Sequence, residues 1–209
     1  ERPTYERYVT GPVERFDKNR MAFLCMRPEN PLGEDLRRKF KERTGYDHYL
    51  SPLAYEELDY EDRIGRAIAD ASYRGCAEYE PKPFPVTPPE GRLEIEDRAW
   101  MSRLIKKIGL MFGADLVRIT ELNQRWVYKD LEIPHKYAIV VAVQHKPSLV
   151  GLAPSYFSWA STAETYSRLK LITTQLTDSV RGLGYDATYR ETRGGASPEL
   201  NMVPIALDA

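Results

Sequence analysis

The chain has 209 residues, which suits one or two domains, and its 42% hydrophobic and 29% charged residues are ordinary for a globular protein. A formal net charge of −1 gives no indication of nucleic-acid binding, which requires an excess of Lys and Arg. The sequence contains no run of 18 apolar residues and therefore predicts no transmembrane helix. The chain begins at Glu1, shows no signal peptide and stops within the element that starts at Asn201, so we expect a fragment of a longer protein.

The cysteines and histidines are too scattered to form a metal site. Cys25 and Cys76 lie far apart, and no second Cys or His stands at metal-ligand spacing. We expect two unpaired thiols and structural roles for His48, His135 and His145.

Residues 1–80 are predicted to form an N-terminal extension of helices and irregular chain. Its first part is an arm that pins itself to the domain with aromatic side chains, and a short helix is predicted at Val13–Asn19. An alternative for the arm is that Phe16 and Phe23 help to wall a binding site. Further helices are predicted at 33–43 and 57–75, the second with an apolar stripe formed by Ile64, Ala67, Ile68 and Ala71.

A proline-rich connector follows at 81–91, where five prolines stand between residues 80 and 91. Proline fixes the backbone and removes an amide donor, so this stretch predicts extended chain and a domain boundary. The core domain would then span 92–209.

Elements of the core domain follow from periodicity. Thr87 and Glu90 have capping-box spacing and predict the start of a helix that ends at Gly113. A strand is predicted at 115–122, a turn or strand start at 125–128, and a central strand at 137–143, because the latter is a continuous apolar run.

A long helix over 159–187 is the centre of the predicted core. Ser161 and Glu164 have capping-box spacing, and Gly182 and Gly184 predict its end. A strand is predicted near 186–190 and another element over 201–209. The helix face predicted to be buried is formed by Tyr166, Leu169, Thr173, Leu176 and Val180.

The order of elements predicts an α+β fold with helices packed on a mixed sheet. Hydroxyl groups of Thr162, Tyr166 and Thr173 stand where an ordinary core helix carries leucine. A buried hydroxyl needs a partner, so this face either looks into a pocket or is core with internal hydrogen bonds. No Gly-x-Gly-x-x-Gly, phosphate-binding loop or nucleophile elbow is present.

Several short segments, taken together and in order, resemble the catalytic subunit of corrinoid-dependent reductive dehalogenases. The segments are Glu-Arg-Phe-Asp (14–17), Phe-Gly-Ala-Asp-Leu-Val (112–117), Arg-Trp-Val-Tyr (125–128), Lys-Tyr-Ala-Ile-Val-Val-Ala-Val (136–143), Thr-Tyr-Ser (165–167), Gly-Leu-Gly-Tyr-x-Ala (182–187) and Val-Pro-Ile-Ala-Leu-Asp-Ala (203–209). The resemblance covers nearly the whole chain.

The resemblance implies a nitroreductase-like cobalamin-binding core, incomplete at the C-terminus. It implies reductive removal of halide from an organohalide by a corrinoid reduced to Co(I), with electrons from two 4Fe–4S clusters held by a later region. The Tyr of the Tyr-Ser pair donates the proton in this family, which assigns that role to Tyr166, with Thr162 beside the substrate. Lys170, four residues after Tyr166, is a cation that could approach it, although the family's own basic partner belongs to a later Gly-Pro-x-x-Arg segment.

Other pocket residues are expected among the aromatic side chains. The walls predicted for an apolar halogenated substrate are Phe16, Trp126, Tyr128, Tyr156, Phe157 and Trp159, and the alternative for each aromatic residue is a place in the core. Family members commonly carry an Asn in a Gly-Asn-Asp-like loop. This chain has Arg-Gly-Gly-Ala-Ser-Pro-Glu (193–199) at that place, and Ser197 is the residue nearest to the position of the family's Asn. This departure leaves the substrate class open.

Two alternatives to the dehalogenase remain. One is a corrinoid-binding or corrinoid-processing module without halide chemistry. The other is a related cobalamin and iron–sulfur reductase that acts on a transfer RNA nucleoside. The near-neutral charge disfavours this second alternative, because binding the RNA backbone requires an excess of Lys and Arg. The expected partners are a small organohalide and an electron-donor protein or membrane anchor, with no nucleic acid. Respiratory members lie outside the cytoplasmic membrane and catabolic ones in the cytoplasm, so the compartment stays open.

Overall fold

The computed structural model describes residues 4–25, 27–44, 59–78, 91–129, 131–153, 155–189 and 200–209. The side chains of residues 4, 22, 23, 44 and 73–78 are not described, so the alternative in which Phe23 helps to wall a site lies outside the described side chains. The chain divides into two compact units: unit 1 comprises residues 1–57, 121–136 and 190–209, and unit 2 comprises 58–120 and 137–189. The sequence-based division at 81–91 falls almost entirely outside the described residues and stays a prediction.

Nine regular elements are described, and together they make the α+β class of the fold. The helices are α1 (Ala22–Cys25), α2 (Glu34–Thr44), α3 (Tyr60–Glu78), α4 (Arg98–Met111), α5 (Pro147–Val150), α6 (Tyr156–Gly182) and α7 (Met202–Asp208), and the strands are β1 (Leu116–Glu121) and β2 (Tyr137–Ala142). None of the helices in the described ranges is long and apolar enough to cross a membrane.

In unit 2, α6 packs against α3 on one side and against α4 and β2 on another. A small apolar core joins helix and sheet, where Ile172 of α6 meets Ala114 and Val117. Gly109 of α4 permits the close approach of this helix to β1, because a Cβ there would lie 2.8 Å from Val117 Cγ2. The partly buried residues around this core are Phe112, Val141 and Val143.

The sheet has two antiparallel strands within the described residues. The Asp115 amide donates to Ala142 O (2.9 Å) and the Leu122 amide donates to Lys136 O (2.8 Å), so the strands run in opposite directions. The prediction of β1 is confirmed. The prediction that β2 is a central strand covered on both faces is wrong for the described chain, because Tyr137 and Ile139 are exposed and β1 is its one described neighbour.

Helix α4 ends where predicted but begins later. Gly113 has φ +105°, the left-handed conformation that glycine adopts most readily after a helix. The start is set by Asp97, whose side chain accepts the Trp100 amide (2.9 Å), and residues 91–97 are not helical. The predicted capping box at 87–90 lies outside the described residues.

The apolar stripe predicted for α3 is wrong. Ile64 and Ile68 are 40% and 47% exposed, whereas Gly65 and Ala69 are buried. The reason is close helix packing: a Cβ on Gly65 would lie 2.8 Å from Tyr156 Cβ, so the α3 face that meets α6 requires small residues.

Unit 1 gathers the N-terminal arm, α1, α2, residues 121–136 and α7. Helix α2 agrees with its prediction and carries exposed ion pairs, including Lys39 Nζ to Asp35 Oδ2 (2.7 Å). The helix predicted at Val13–Asn19 is wrong, because the one helical turn there is a 3-10 turn at Lys18–Arg20 capped by Asp17.

Four smaller predictions remain to be compared with the structure. Cys25 is a free, buried thiol as expected. The element predicted at the chain end is α7, and the turn predicted at 125–128 is a 3-10 turn followed by a bridge from Val127 to Leu200. The strand predicted near 186–190 is wrong for residues 186–189, which form no regular element.

Candidate functional site

Helix α6 carries Thr162 and Tyr166, the two residues for which the resemblance implies a role in the chemistry. It begins at Tyr156, where the Ser155 side chain accepts the Ser158 amide (3.2 Å), so the capping box predicted at Ser161 and Glu164 is wrong. The helix ends at Gly182, and Gly184 has φ +82°, which confirms a glycine stop. It therefore starts three residues earlier than predicted and holds 27 residues.

The predicted buried face of α6 is mostly a half-buried one. Leu176 is 4% exposed, but Tyr166, Leu169, Thr173 and Val180 keep intermediate exposure. Packing on two sides explains the difference, because the sheet and α3 bury the flanking faces and leave this stripe between them. The residues that are fully buried instead are Ala160, Ser161, Ala163, Thr165, Lys170, Ile172, Thr174 and Thr177.

Tyr166 and Thr162 lie four residues apart on this half-buried stripe. The Thr162 hydroxyl donates to Ser158 O (3.2 Å), and its oxygen keeps two lone pairs that can accept hydrogen bonds. Within the described residues, no group is hydrogen-bonded to the Tyr166 hydroxyl. Lys170, one turn after Tyr166, is 6% exposed and so places a cationic side chain inside the unit on the same helix.

Two buried hydroxyl groups of α6 have no hydrogen-bond partner among the residues that the structure describes. They belong to Ser161 and Thr174, which are 2% and 4% exposed. Nearby, Thr165 Oγ1 donates to Ser161 O (2.9 Å) and lies 3.3 Å from His145 Nδ1. A partnerless buried hydroxyl costs free energy, so these two atoms reduce the stability of the packing around α6.

Tyr156 and Trp159, predicted pocket walls, form an aromatic pair at the start of α6. Their ring centroids are 5.6 Å apart, and the Arg66 guanidinium lies 5.7 Å from the first ring and 5.6 Å from the second. Arg66 also pairs with Asp70 (3.1 Å). Sequence reasoning missed Arg66, and its only sequence signal is an i,i+4 pairing with Asp70 on α3.

A second aromatic cluster occupies unit 1 and contains the other described wall residues. Phe16 packs on Tyr128 with centroids 5.7 Å apart, and Tyr5 packs edge-on against Trp126 at 6.0 Å. These contacts confirm that the N-terminal arm is pinned by aromatic side chains. Burial raises the pKa of the Tyr128 hydroxyl above its ordinary value.

Asp208 and Arg15 fix this second cluster, and sequence reasoning missed both. Asp208 accepts hydrogen bonds from the Tyr5 hydroxyl and from Trp126 Nε1 (2.6 Å). Partial burial and the hydrogen bond to Asp208 raise the pKa of Tyr5 to about 12. Arg15 donates to the carbonyl oxygens of residues 127 (3.1 Å), 128 (2.6 Å) and 131.

The predicted site residues therefore fall into two groups. Thr162, Tyr166, Tyr156 and Trp159 belong to α6 in unit 2, and Phe16, Trp126 and Tyr128 belong to unit 1. Ser197 lies outside the described residues. Their assignment to a pocket stays a prediction.

A protein metal site needs several His, Cys, Asp or Glu side chains close together. Nowhere in the described ranges do three or more His, Cys, Asp or Glu side chains come together in a group that could hold a metal ion. No protein-family model and no curated protein matches this sequence.

Proposed function

We propose that this chain contributes part of the corrinoid and substrate site of a reductive dehalogenase, with Tyr166 as the proton donor. The observation that carries the proposal is the half-buried hydroxyl stripe of α6, on which Thr162 and Tyr166 are adjacent. The ordered segments that resemble the dehalogenase family support it. The reaction is R–X + 2e⁻ + H⁺ → R–H + X⁻.

The residues of α6 fit a corrinoid in one respect. A corrinoid presents amide groups around its rim, and the Thr162 hydroxyl on the half-buried stripe of α6 can accept a hydrogen bond from such a group. When bound, the corrinoid would supply the two-electron chemistry at cobalt, and the protein would orient the substrate and provide the proton.

The iron–sulfur clusters do not fit the residues of this chain. Each 4Fe–4S cluster takes four cysteine thiolates, and the sequence has two cysteines, of which Cys25 is buried against Asn19 O (3.4 Å). Electron supply in the proposal therefore belongs to residues outside these 209 or to a separate donor protein.

Tyr166 suits the proton transfer because its exposure is intermediate. The carbon that loses halide must gain a proton, and a positioned weak acid is the usual source. Partial exposure lets water return the proton to the phenolate after each turnover. In the proposal, Lys170, which follows Tyr166 by one turn of α6, supplies a positive charge for the phenolate left by proton donation.

The test loads the protein with hydroxocobalamin, removes unbound corrinoid and supplies titanium(III) citrate, which reduces the corrinoid without clusters. Corrinoid retention is read from the visible spectrum, and halide release from a chlorinated phenol is measured by ion chromatography. We expect Tyr166→Phe to retain corrinoid and to lose roughly 100-fold in halide release, the scale of general acid catalysis. Tyr60→Phe, which alters a 79% exposed tyrosine of α3, is the matched control.

The outcomes separate the alternatives. Retained corrinoid with no halide release by the wild-type chain favours a corrinoid-binding module without halide chemistry. Unchanged halide release by Tyr166→Phe refutes the role of that residue. Failure to retain corrinoid at all refutes the proposal.

A further inference from the structure

His145 follows β2 and contacts the middle of α6. Its Nδ1 atom lies 3.3 Å from Thr165 Oγ1. Thr165 is 4% exposed, whereas His145 is exposed. The sequence predicts a structural role for this histidine, but its contact with Thr165 also decides which of its two ring nitrogens carries a proton.

The Thr165 hydroxyl already has an acceptor for its proton. It donates to Ser161 O (2.9 Å), the carbonyl one turn earlier on α6. A hydroxyl group has a single proton, so Thr165 Oγ1 accepts in the contact with His145 and Nδ1 donates. In the neutral imidazole the second nitrogen, Nε2, is then the one without a proton. The contact with Thr165 therefore selects the tautomer of His145.

The Nε2 atom of His145 is available for proton exchange with solvent. Within the described residues no group is hydrogen-bonded to it, and the residue is exposed. Histidine gains and loses a proton near neutral pH. Because Nδ1 keeps its proton for Thr165, uptake and release both take place at Nε2.

The charged residues around His145 leave Nε2 free. Lys146 follows it in the chain and is exposed, so solvent screens its charge. Glu164, next to Thr165 on α6, pairs with Arg168 (3.7 Å). The Oδ2 atom of Asp115 accepts the backbone amide of the residue before His145 (2.8 Å). Both carboxylates therefore have other partners.

His145 borders the half-buried stripe of α6 that carries Thr162 and Tyr166. Thr162 precedes Thr165 by three residues, and positions three apart are neighbours on a helix surface. Tyr166 directly follows Thr165 in the chain. The imidazole thus lies on the residue between the two to which the dehalogenase proposal assigns chemistry.

We propose that His145 returns the proton to Tyr166 after each turnover. This inference rests on the proposed function. After Tyr166 has given its proton to the carbon that loses halide, the imidazolium of His145 releases the proton on Nε2, and water at the stripe carries it to the phenolate. The neutral imidazole then takes up a proton from solvent at the same atom, so the cycle consumes one proton per halide released.

The tautomer is tested without corrinoid, by 15N nuclear magnetic resonance of the ring nitrogens of His145. A protonated and an unprotonated ring nitrogen have well-separated 15N shifts. We expect the neutral form to carry its proton on Nδ1. Thr165→Val removes the acceptor and should shift the neutral form towards a proton on Nε2, and circular dichroism shows whether this variant keeps its fold.

The relay is tested by halide release with hydroxocobalamin and titanium(III) citrate in weak buffer. In His145→Asn the amide can still donate to Thr165 but cannot exchange a proton. We expect kcat to fall roughly tenfold, against about 100-fold for Tyr166→Phe, because water still returns protons slowly. KM should not change, because His145 does not touch the substrate. Added imidazole should restore the rate of His145→Asn but not that of Tyr166→Phe.

Lys146→Gln is the matched control, since it alters the neighbouring exposed residue and should leave kcat unchanged. Three results would overturn the relay alone: a neutral His145 with its proton on Nε2, an unchanged kcat in His145→Asn while Tyr166→Phe is impaired, or a loss in His145→Asn that imidazole does not restore. Unchanged halide release by Tyr166→Phe would refute the proposed proton donor and the relay with it.

Discussion

Gly65→Ala tests whether close packing of α3 on α6 outweighs helix propensity. Alanine stabilises a helix interior by about 1 kcal/mol relative to glycine, so propensity alone predicts a more stable protein. The new Cβ would lie 2.8 Å from Tyr156 Cβ and 3.0 Å from the Phe157 amide nitrogen. Carbon atoms in contact are normally about 3.5–4.0 Å apart, and these two neighbours cannot rotate away because they belong to or adjoin the backbone of α6.

Overpacking of this kind costs about 1–3 kcal/mol. After the propensity gain of about 1 kcal/mol is subtracted, we expect Gly65→Ala to lower the free energy of unfolding by up to about 2 kcal/mol. The assay is urea denaturation followed by circular dichroism, in which the midpoint falls and the slope stays constant.

Ala67→Gly is the control, because Ala67 is exposed on the same helix and should lose about 1 kcal/mol through propensity alone. A rise in the midpoint for Gly65→Ala would refute the packing argument.

Other predictions concern the two cores. Ile172→Ala removes a side chain that is 2% exposed and should cost about 2–5 kcal/mol by thermal or urea denaturation, whereas Leu171→Ala, at a 42% exposed position, should cost under about 1 kcal/mol. Because the folded-state pKa of Tyr5 is about 12 and its ordinary value is 10.0, its contribution to stability is complete below pH 10 and is lost as the pH rises towards 12. Tyr5→Phe should remove that alkaline loss in a pH series of melting temperatures, and an unchanged pH profile would contradict the assignment. Asp208→Ala leaves two partly buried donors unpaired and should cost roughly 2 kcal/mol, and a double-mutant cycle with Trp126→Phe should show coupling if the carboxylate acts as described.

Helix termini set by glycine were predictable from the sequence, because Gly113 and Gly184 follow apolar periodic stretches and adopt positive φ. The start of α6, in contrast, could not be predicted from the sequence. Ser161 and Glu164 have the spacing of a capping box. However, the Tyr156 backbone packs on Gly65 and the Tyr156 ring packs on Arg66. These contacts favour a helix that begins earlier, at Tyr156. Tertiary contact here overrides a local signal.

Burial around a helix was harder to predict than the helix itself. Periodicity identified one face of α6 for burial, yet the sheet and α3 bury the two faces beside it. For α3 the larger side chains Ile64 and Ile68 suggested the inner face, but the closeness of α6 selects Gly65 and Ala69. The choice depends on the distance between the helices, which a single sequence does not contain.

The aromatic cluster of unit 1 was only partly predictable. Aromatic residues of the arm were expected to pin it, and Tyr5 and Phe16 do so. Their partners could not be identified, because Tyr5 and Asp208 are 203 positions apart and no pattern in either segment indicates the other. Assignment of Phe16, Trp126 and Tyr128 to a pocket remains untested.

The Tyr5–Asp208 contact has a consequence for the order in which the chain folds. Closing an unstructured loop of 203 residues costs about 5 kcal/mol of chain entropy, which one contact cannot offset. Folding of unit 2 first would shorten the effective loop, because residues 58–120 and 137–189 lie between the segments of unit 1. We therefore expect unit 2 to form early. Unit 1 should form only after the residues that follow Leu200 have emerged from the ribosome.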